Sequence, residues 1–403
     1  MIYFSSFSKQ QDINYFVRNL QKQMKYDRKN KTIEISMAND FFSTPEVIAP
    51  ISGLLDYIRG IGYKITINFN GNKLKSSGIE YPFTVENNSY DLLSPMYKVW
   101  KYSTPEEVSA IVTALIKALD TRVVCAKGVV EAFEWTVNEV MDNVIQHSQS
   151  EYGFVICTVT NNAHISVSVY DNGIGILRSF YGSEYRLKSP YDAIALAMQE
   201  GATRDKKIGQ GNGLWGMSKL VSNNKGNLGI TSSGARLAVD ENNAIHRNDD
   251  ITRFNLMGDT FIPGTLVDFQ FQCNNPVSFS EIFGKQYVFT NIYIESMEDE
   301  KDRILLRVKD FSFGYSTRLA GENARNMAIN FATQTEEKQI ILIDLQGIGI
   351  MASSFADEFI GKLACYYGFI QFNNLFRIIN VSKENMAIIN RSVMQRMKEE
   401  LDD

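Results

Sequence analysis

Three short motifs stand in a set order in this chain: Glu139-x-x-x-Asn143, Asp171-Asn-Gly-Ile-Gly175 and Gly209-Gln-Gly-Asn-Gly213. Singly each is weak, since average composition produces the first roughly once and the second roughly 0.1 times in a chain this long. All three in this order have a chance probability on the order of one in a thousand. Periodicity predicts a helix over about Lys127 to His147, with Val130, Phe133, Val137, Val140, Met141 and Val144 on a face that can pack on a sheet. Glu139, Asn143 and His147 form a polar stripe beside it, one turn apart. A carboxylate and an amide so placed can take a proton from a nucleophile and give a carbonyl oxygen to Mg2+. The plain alternative is a solvated helix face.

Asp171 closes a predicted strand, where it can accept a hydrogen bond from the exocyclic amino group of a base. Gly173 and Gly175 remove the Cβ atoms that would hold the backbone away from a flat ring. The competing reading is a turn using Asp, Asn and Gly for their usual reasons. Gly209, Gly211 and Gly213 precede a helix, so bare N–H groups and a helix N-terminus can receive phosphate oxygens. Gly211-Asn-Gly-Leu-Trp-Gly216 also fits the dinucleotide pattern G-x-G-x-x-G. That fingerprint follows a buried strand directly, and the GATRDKK before this one is polar, so it is rejected.

Around these motifs the 403 residues read as an α/β chain of two or three domains. Strands are predicted at 31–37 and 64–69 around a helix from Pro45 to Ile58, then an Asn/Ser/Gly-rich boundary from Asn70 to about Ser94. A helix starts at Thr104-Pro-Glu-Glu107, a hairpin pairs Tyr152–Thr160 with His164–Asp171, helices cover Pro190–Gln199 and Leu214–Val221, and a final strand runs over Gly264–Phe271. The last part returns to strand and helix: Lys338–Leu345, a helix from Ser353, and Leu375–Asn380. Lys plus Arg total 41 against 46 Asp plus Glu, interspersed, a net charge of −5 that argues against nucleic acid as a partner. No apolar stretch reaches membrane-spanning length and MIYFSSFSKQQ lacks a leader's apolar core, so a cytoplasmic protein without membrane contact is expected. Cys125, Cys157, Cys273 and Cys365 form no CxxC pair and are expected as reduced thiols.

The segments NEVMDNVIQHS, DNGIG and GQGNGLWGM resemble the N, G1 and G2 boxes of the GHKL ATPase superfamily over about residues 100–272, and Gly264-Thr265 resembles its closing element. The resemblance implies a Bergerat-fold α/β sandwich binding ATP and Mg2+. Glu139 is then the general base, Asn143 the Mg2+ ligand, Asp171 the adenine contact, and Gly173, Gly175, Gly209, Gly211, Gly213 and Thr265 parts of the nucleotide site. Residues between Gly175 and Gly209 become a lid, with Arg204, Lys206 and Lys207 available to phosphates. The N box is most similar to that of anti-sigma-factor serine kinases. A histidine kinase needs an upstream acceptor His and none precedes His147; His164 falls in a predicted strand and His246 in a polar loop.

The segment IILIDLQGIGIMASSFADEFIGKL resembles a STAS-like domain, in whose relatives a helix-start serine is phosphorylated by a GHKL kinase. Ser354 is the matching position, although Ala352 and Phe355 replace the Asp and Gly of that motif. Ser354 with Asp357 also reads as a capping box, so a cap alone and a cap that is also a phosphosite both stand. The expected organisation is 1–95 as a small α/β domain of possible STAS-like kind, 96–275 as the GHKL domain and 285–403 as the STAS-like domain. The expected function is an ATP-dependent regulator, a serine/threonine kinase or ATPase switch, acting on a STAS-type or sigma-factor-like protein partner. The alternative is a nucleotide-gated interaction module without turnover. Oligomeric state stays open, with a homodimer favoured by the habit of many GHKL proteins.

Overall fold

The computed structural model describes residues 2–4, 10–26, 29–37, 44–201, 213–248, 254–257, 260–262, 264–284, 294, 296–299, 301, 303–311, 313–335 and 339–402. The fold is mixed α+β. The chain divides into two compact units, the first comprising Met1–Leu115, Ala132–Gln272 and Glu281–Gly284, the second Ile116–Glu131, Cys273–Ser280 and Lys285–Asp403.

The first unit opens with β1 (Ile2–Phe4), α1 (Gln10–Tyr26), β2 (Thr32–Met37), α2 (Pro45–Gly60) and β3 (Lys64–Phe69), whose strands form a parallel sheet in the order β1-β2-β3. In α1, Ile13, Phe16, Val17, Leu20 and Met24 recur at helical spacing and all are buried. As expected, α2 has Pro45 in its first turn behind Thr44. It is apolar almost all round because it is covered on both sides. One side meets the parallel sheet and α1, and the other lies against a second, larger sheet.

After a short α3 (Asn72–Ser76), that second sheet takes up β4 (Trp100–Tyr102), β5 (Gly153–Val159), β6 (His164–Asp171), β7 (Leu228–Ser232), β8 (Ala235–Val239), β9 (Ile245–Asn248) and, after the hairpin β10 (Phe254–Met257) and β11 (Thr260–Ile262), β12 (Thr265–Gln272). Its order is β4-β5-β6-β12-β7-β8-β9, antiparallel throughout. The predicted hairpin is β5–β6, turning at Thr160–Ala163. The last of these strands in sequence, β12, lies at the middle of the sheet, between β6 and β7. His246, expected in a loop, pairs within β9 and meets Asp240 at 2.7 Å. Phe154, Ile156, Tyr170 and Leu266 share one hydrophobic cluster with α1, α2 and the parallel sheet. Val155, Val169, Asp171 and Val267 alternate with them and so point to the opposite face.

The helices between these strands are α4 (Pro105–Arg122), α5 (Val129–Asn143), α6 (Ile176–Ser179), α7 (Pro190–Ala197) and α8 (Gly213–Asn223). In α5 the predicted apolar stripe from Val130 to Val144 is buried. The segment continues as one π turn, Val144–Ser148, and Gln149 in the left-handed region ends it.

The second unit contains a three-stranded parallel sheet of β13 (Ile304–Arg307), β14 (Ile341–Asp344) and β15 (Phe376–Ile379). Following α9 (Phe279–Phe283), its helices are α10 (Arg318–Gln334), α11 (Ser353–Ala356), α12 (Lys362–Tyr367), α13 (Phe369–Leu375) and α14 (Lys383–Asp402). Asn330, fully buried in α10, accepts from the Cys125 N–H at 2.7 Å and donates to the carbonyls of Asp120 and Val123. No helix among the described residues is long and apolar enough to cross a membrane.

Candidate functional site

Glu139 and Asn143 occupy the last turn of α5, one turn apart as the spacing required. The Glu139 carboxylate lies against the first residue of α8, and a Cβ on Gly213 would collide with it. Burial, and secondarily Asp142, pushes the Glu139 carboxyl above its ordinary range. The start of α8 is fixed by an aromatic triad: Phe283 packs on Trp135 of α5 at 5.5 Å and on Trp215 of α8 at 5.8 Å. Gly216 leaves room for the Trp135 ring, which an added Cβ would approach to 2.6 Å.

Asn143 presents a buried Nδ2 with no hydrogen-bond partner among the described residues. An unpaired buried amide costs free energy unless a ligand uses it, and rotation about its last bond exchanges this donor for the acceptor Oδ1.

Asp171 ends β6 with only 3% exposure, opposite Gly153 on one side and Thr265 on the other. Its Oδ1 accepts from the Gly173 N–H at 2.7 Å, and the Thr265 N–H also donates to the carboxylate. Burial outweighs both bonds and raises the carboxyl to about 7. Gly173 has no room for a side chain, because a Cβ would run into the Ser148 carbonyl. Ile174 N–H donates to that same carbonyl at 2.8 Å, which stitches the end of the α5 segment to the Asp171–Gly175 turn. Gly175 has φ +76°, a left-handed conformation that favours glycine. Gly264 N–H donates to the Gly173 carbonyl at 3.0 Å, so Gly264-Thr265 closes against the turn.

The structure therefore brings Glu139 to Gly213, and Asp171, Gly173, Gly175 and Thr265 into one braced turn joined to the chain just beyond Asn143. Lys206, Lys207, Gly209, Gly211 and Arg204 lie outside the described residues.

Ser232 was not singled out from the sequence. Its hydroxyl accepts from the Ile176 N–H at 2.9 Å, donates to the Gly264 carbonyl at 3.0 Å and lies 3.3 Å from the Thr265 hydroxyl. A serine in a Thr-Ser-Ser-Gly turn carries no signal of its own, and only the β7–β12 register gives it this place.

Ser354 does not act as the cap expected of it. Ala352 occupies the cap position of α11 and Ser353 and Ser354 are already helical, so the Ser354 hydroxyl lies inside the turn it was expected to close. Asp357 is committed to Arg396 through bonds of 2.8 and 2.7 Å, which hold its carboxyl below the usual range. Glu358 is buried beside it; burial raises its carboxyl, but Lys362 at 2.7 Å and Arg325 at 2.6 Å bring it below the ordinary value.

Residues 328–386 match a family described as a STAS-like domain of unknown function. The C-terminal part thus contains a STAS-like domain, as read from Ile340 to Leu363. No curated protein matches the chain. Among solved structures, the crystal structure of full-length ShkA in complex with AMPPNP is similar at 11% identity and a TM-score of 0.22, covering 96% of this chain and 72% of that one. A likeness that loose supports no argument about this site.

Proposed function

We propose that this chain is an ATP-dependent regulator of the GHKL class, binding ATP and Mg2+ between α5, the Asp171–Gly175 turn and the start of α8. The meeting of Glu139 with Gly213 carries the reading: two motifs about seventy positions apart in sequence are placed side by side, with Gly213 leaving the room that the Glu139 carboxylate occupies. Asp171 would accept the amino group of an adenine, Asn143, whose Nδ2 has no partner among the described residues, would hold Mg2+ through its amide oxygen, and Gly173, Gly175, Gly213 and Thr265 would supply close-approaching backbone. The resemblance assigns Lys206, Lys207, Gly209 and Gly211, which lie outside the described residues, to the phosphates. Bound ATP would supply a transferable phosphoryl group, with Mg2+ offsetting its charge. Glu139 takes the proton of the attacking hydroxyl at its carboxylate.

The modules 1–95, 96–275 and 285–403 then divide the work, the last offering a STAS-type surface to a protein partner. In this scheme the protein acts by partner switching, as a serine/threonine kinase or an ATPase switch, in the cytoplasm; Ser354 is a candidate phosphosite, and the oligomeric state stays open, a homodimer being one form. Product formation from Mg-ATP, with and without a protein acceptor, in wild type and Glu139→Gln tests it. Turnover lost in the variant with nucleotide binding kept supports the assignment, and equal turnover overturns it.

A further inference from the structure

Asn172 stands between Asp171 and Gly173, and its side chain serves the opposite face of the sheet. Its Nδ2 donates to the carbonyl of Gly53 in the middle of α2 at 3.1 Å, and its Oδ1 accepts from the Tyr170 hydroxyl at 2.8 Å. The fully buried Tyr170 ring fills the space beside Gly53, where an added Cβ would come within 2.6 Å of it. Three consecutive residues thus face two ways: Tyr170 and Asn172 hold α2, while Asp171 holds the candidate nucleotide site.

The layer formed by α2 is also imperfectly satisfied. The hydroxyls of Ser52 on α2 and Ser168 on β6 are buried without hydrogen-bond partners among the described residues. Glu46 at the start of α2 is buried beside Asp268, and Arg236, which bonds Asp268 at 2.6 and 2.8 Å, also acts on Glu46. Unpaired hydroxyls such as those of Ser52 and Ser168 lower the cost of a small displacement, because movement regains solvation for them.

We propose that Asn172 couples the nucleotide site to α2, so that the layer of β1, α1, β2, α2 and β3 is a built-in regulator of nucleotide affinity. This rests on the nucleotide reading above. A ligand seated against Asp171 fixes the 171–175 backbone and, through Asn172, the Gly53 carbonyl and α2. By linkage, a partner that moves α2 changes nucleotide affinity by the same factor.

Hydrogen exchange on the full chain, with and without Mg-AMPPNP, tests this in wild type, Asn172→Ala and Tyr170→Phe. In wild type, nucleotide slows exchange in peptides covering 171–176 and also in those covering 49–60. In Asn172→Ala the first effect persists, the second disappears, and nucleotide affinity falls about fivefold or more. Tyr170→Phe keeps the ring packing and removes one arm of the bridge, so the response at 49–60 shrinks without vanishing. A response confined to 171–176 in wild type, or retained at 49–60 in Asn172→Ala, overturns the coupling alone. No response at either place overturns both the coupling and the nucleotide reading.

Discussion

The Glu139 carboxylate fills the volume that any side chain at Gly213 would need. A half-buried carboxyl at the N-terminal end of a helix is favoured by the helix dipole, and Gly213 permits the approach. Gly213→Ala should therefore displace Glu139 or the first turn of α8, costing about 1–3 kcal/mol of stability and most of the turnover. Glu139→Gln should keep the shape, bind nucleotide and lose turnover. Denaturant titration and single-turnover assays on the two variants separate these effects.

Nucleotide affinity should depend on pH through Asp171. The carboxyl lies at about 7 in the free protein, and acceptance of an amino group needs its ionised form. Between pH 8 and pH 6 the ionised fraction, and with it the affinity, should fall about tenfold. A pH series of calorimetric titrations checks this, with Asp171→Asn expected to remove the dependence.

Stability should fall as pH rises from 5.5 to 8. Asp171, Glu46 and Glu131 all stand at about 7 when folded, Asp171 and Glu131 through burial and Glu46 through burial first and then Asp268. Their unfolded values are near 4, so across this window the folded chain binds more protons than the unfolded one. The stabilisation is complete below the unfolded value and is lost as pH passes the folded one. Tm should decline over the window, and the double variant Asp171→Asn, Glu46→Gln should flatten that decline.

Ser354 and Thr317 should respond differently to the same change. Thr317 caps α10, its hydroxyl accepting from the Ala320 N–H at 3.0 Å, so Thr317→Ala should cost about 1 kcal/mol. Ser354 caps nothing, and Ser354→Ala should stay within about 0.5 kcal/mol. If Ser354 is a phosphosite, mass spectrometry after incubation with ATP finds phosphate there in wild type and none in Glu139→Gln.

Much of this arrangement was legible because it depends on local periodicity. The buried stripe of α5, the Glu139–Asn143 spacing, the β5–β6 hairpin and the start of α2 at Pro45 follow from side-chain order alone. The helix α1 is equally written in the spacing of Ile13, Phe16, Val17, Leu20 and Met24, but the polar residues that make up the rest of it mask the stripe. What pattern could not give was the second face of the large sheet. That Gly53 is a glycine for the Tyr170 ring, and that Asn172 reaches α2, are contacts between residues more than a hundred positions apart. The cap at Ser354 failed for a smaller reason: with two serines and an alanine in succession, a shift of two residues in the helix start transfers the cap position to Ala352.

On the proposed function, Asp171 reads an adenine. Calorimetry of the full chain with Mg2+ and either ATP or GTP tests it most directly, with Asp171→Asn as the companion protein. A carboxylate accepts from the adenine amino group and repels the carbonyl that guanine presents there. ATP should bind at least about tenfold more tightly than GTP, and Asp171→Asn should lose that preference. Equal affinities in the wild type, or an unchanged preference in the variant, would contradict it.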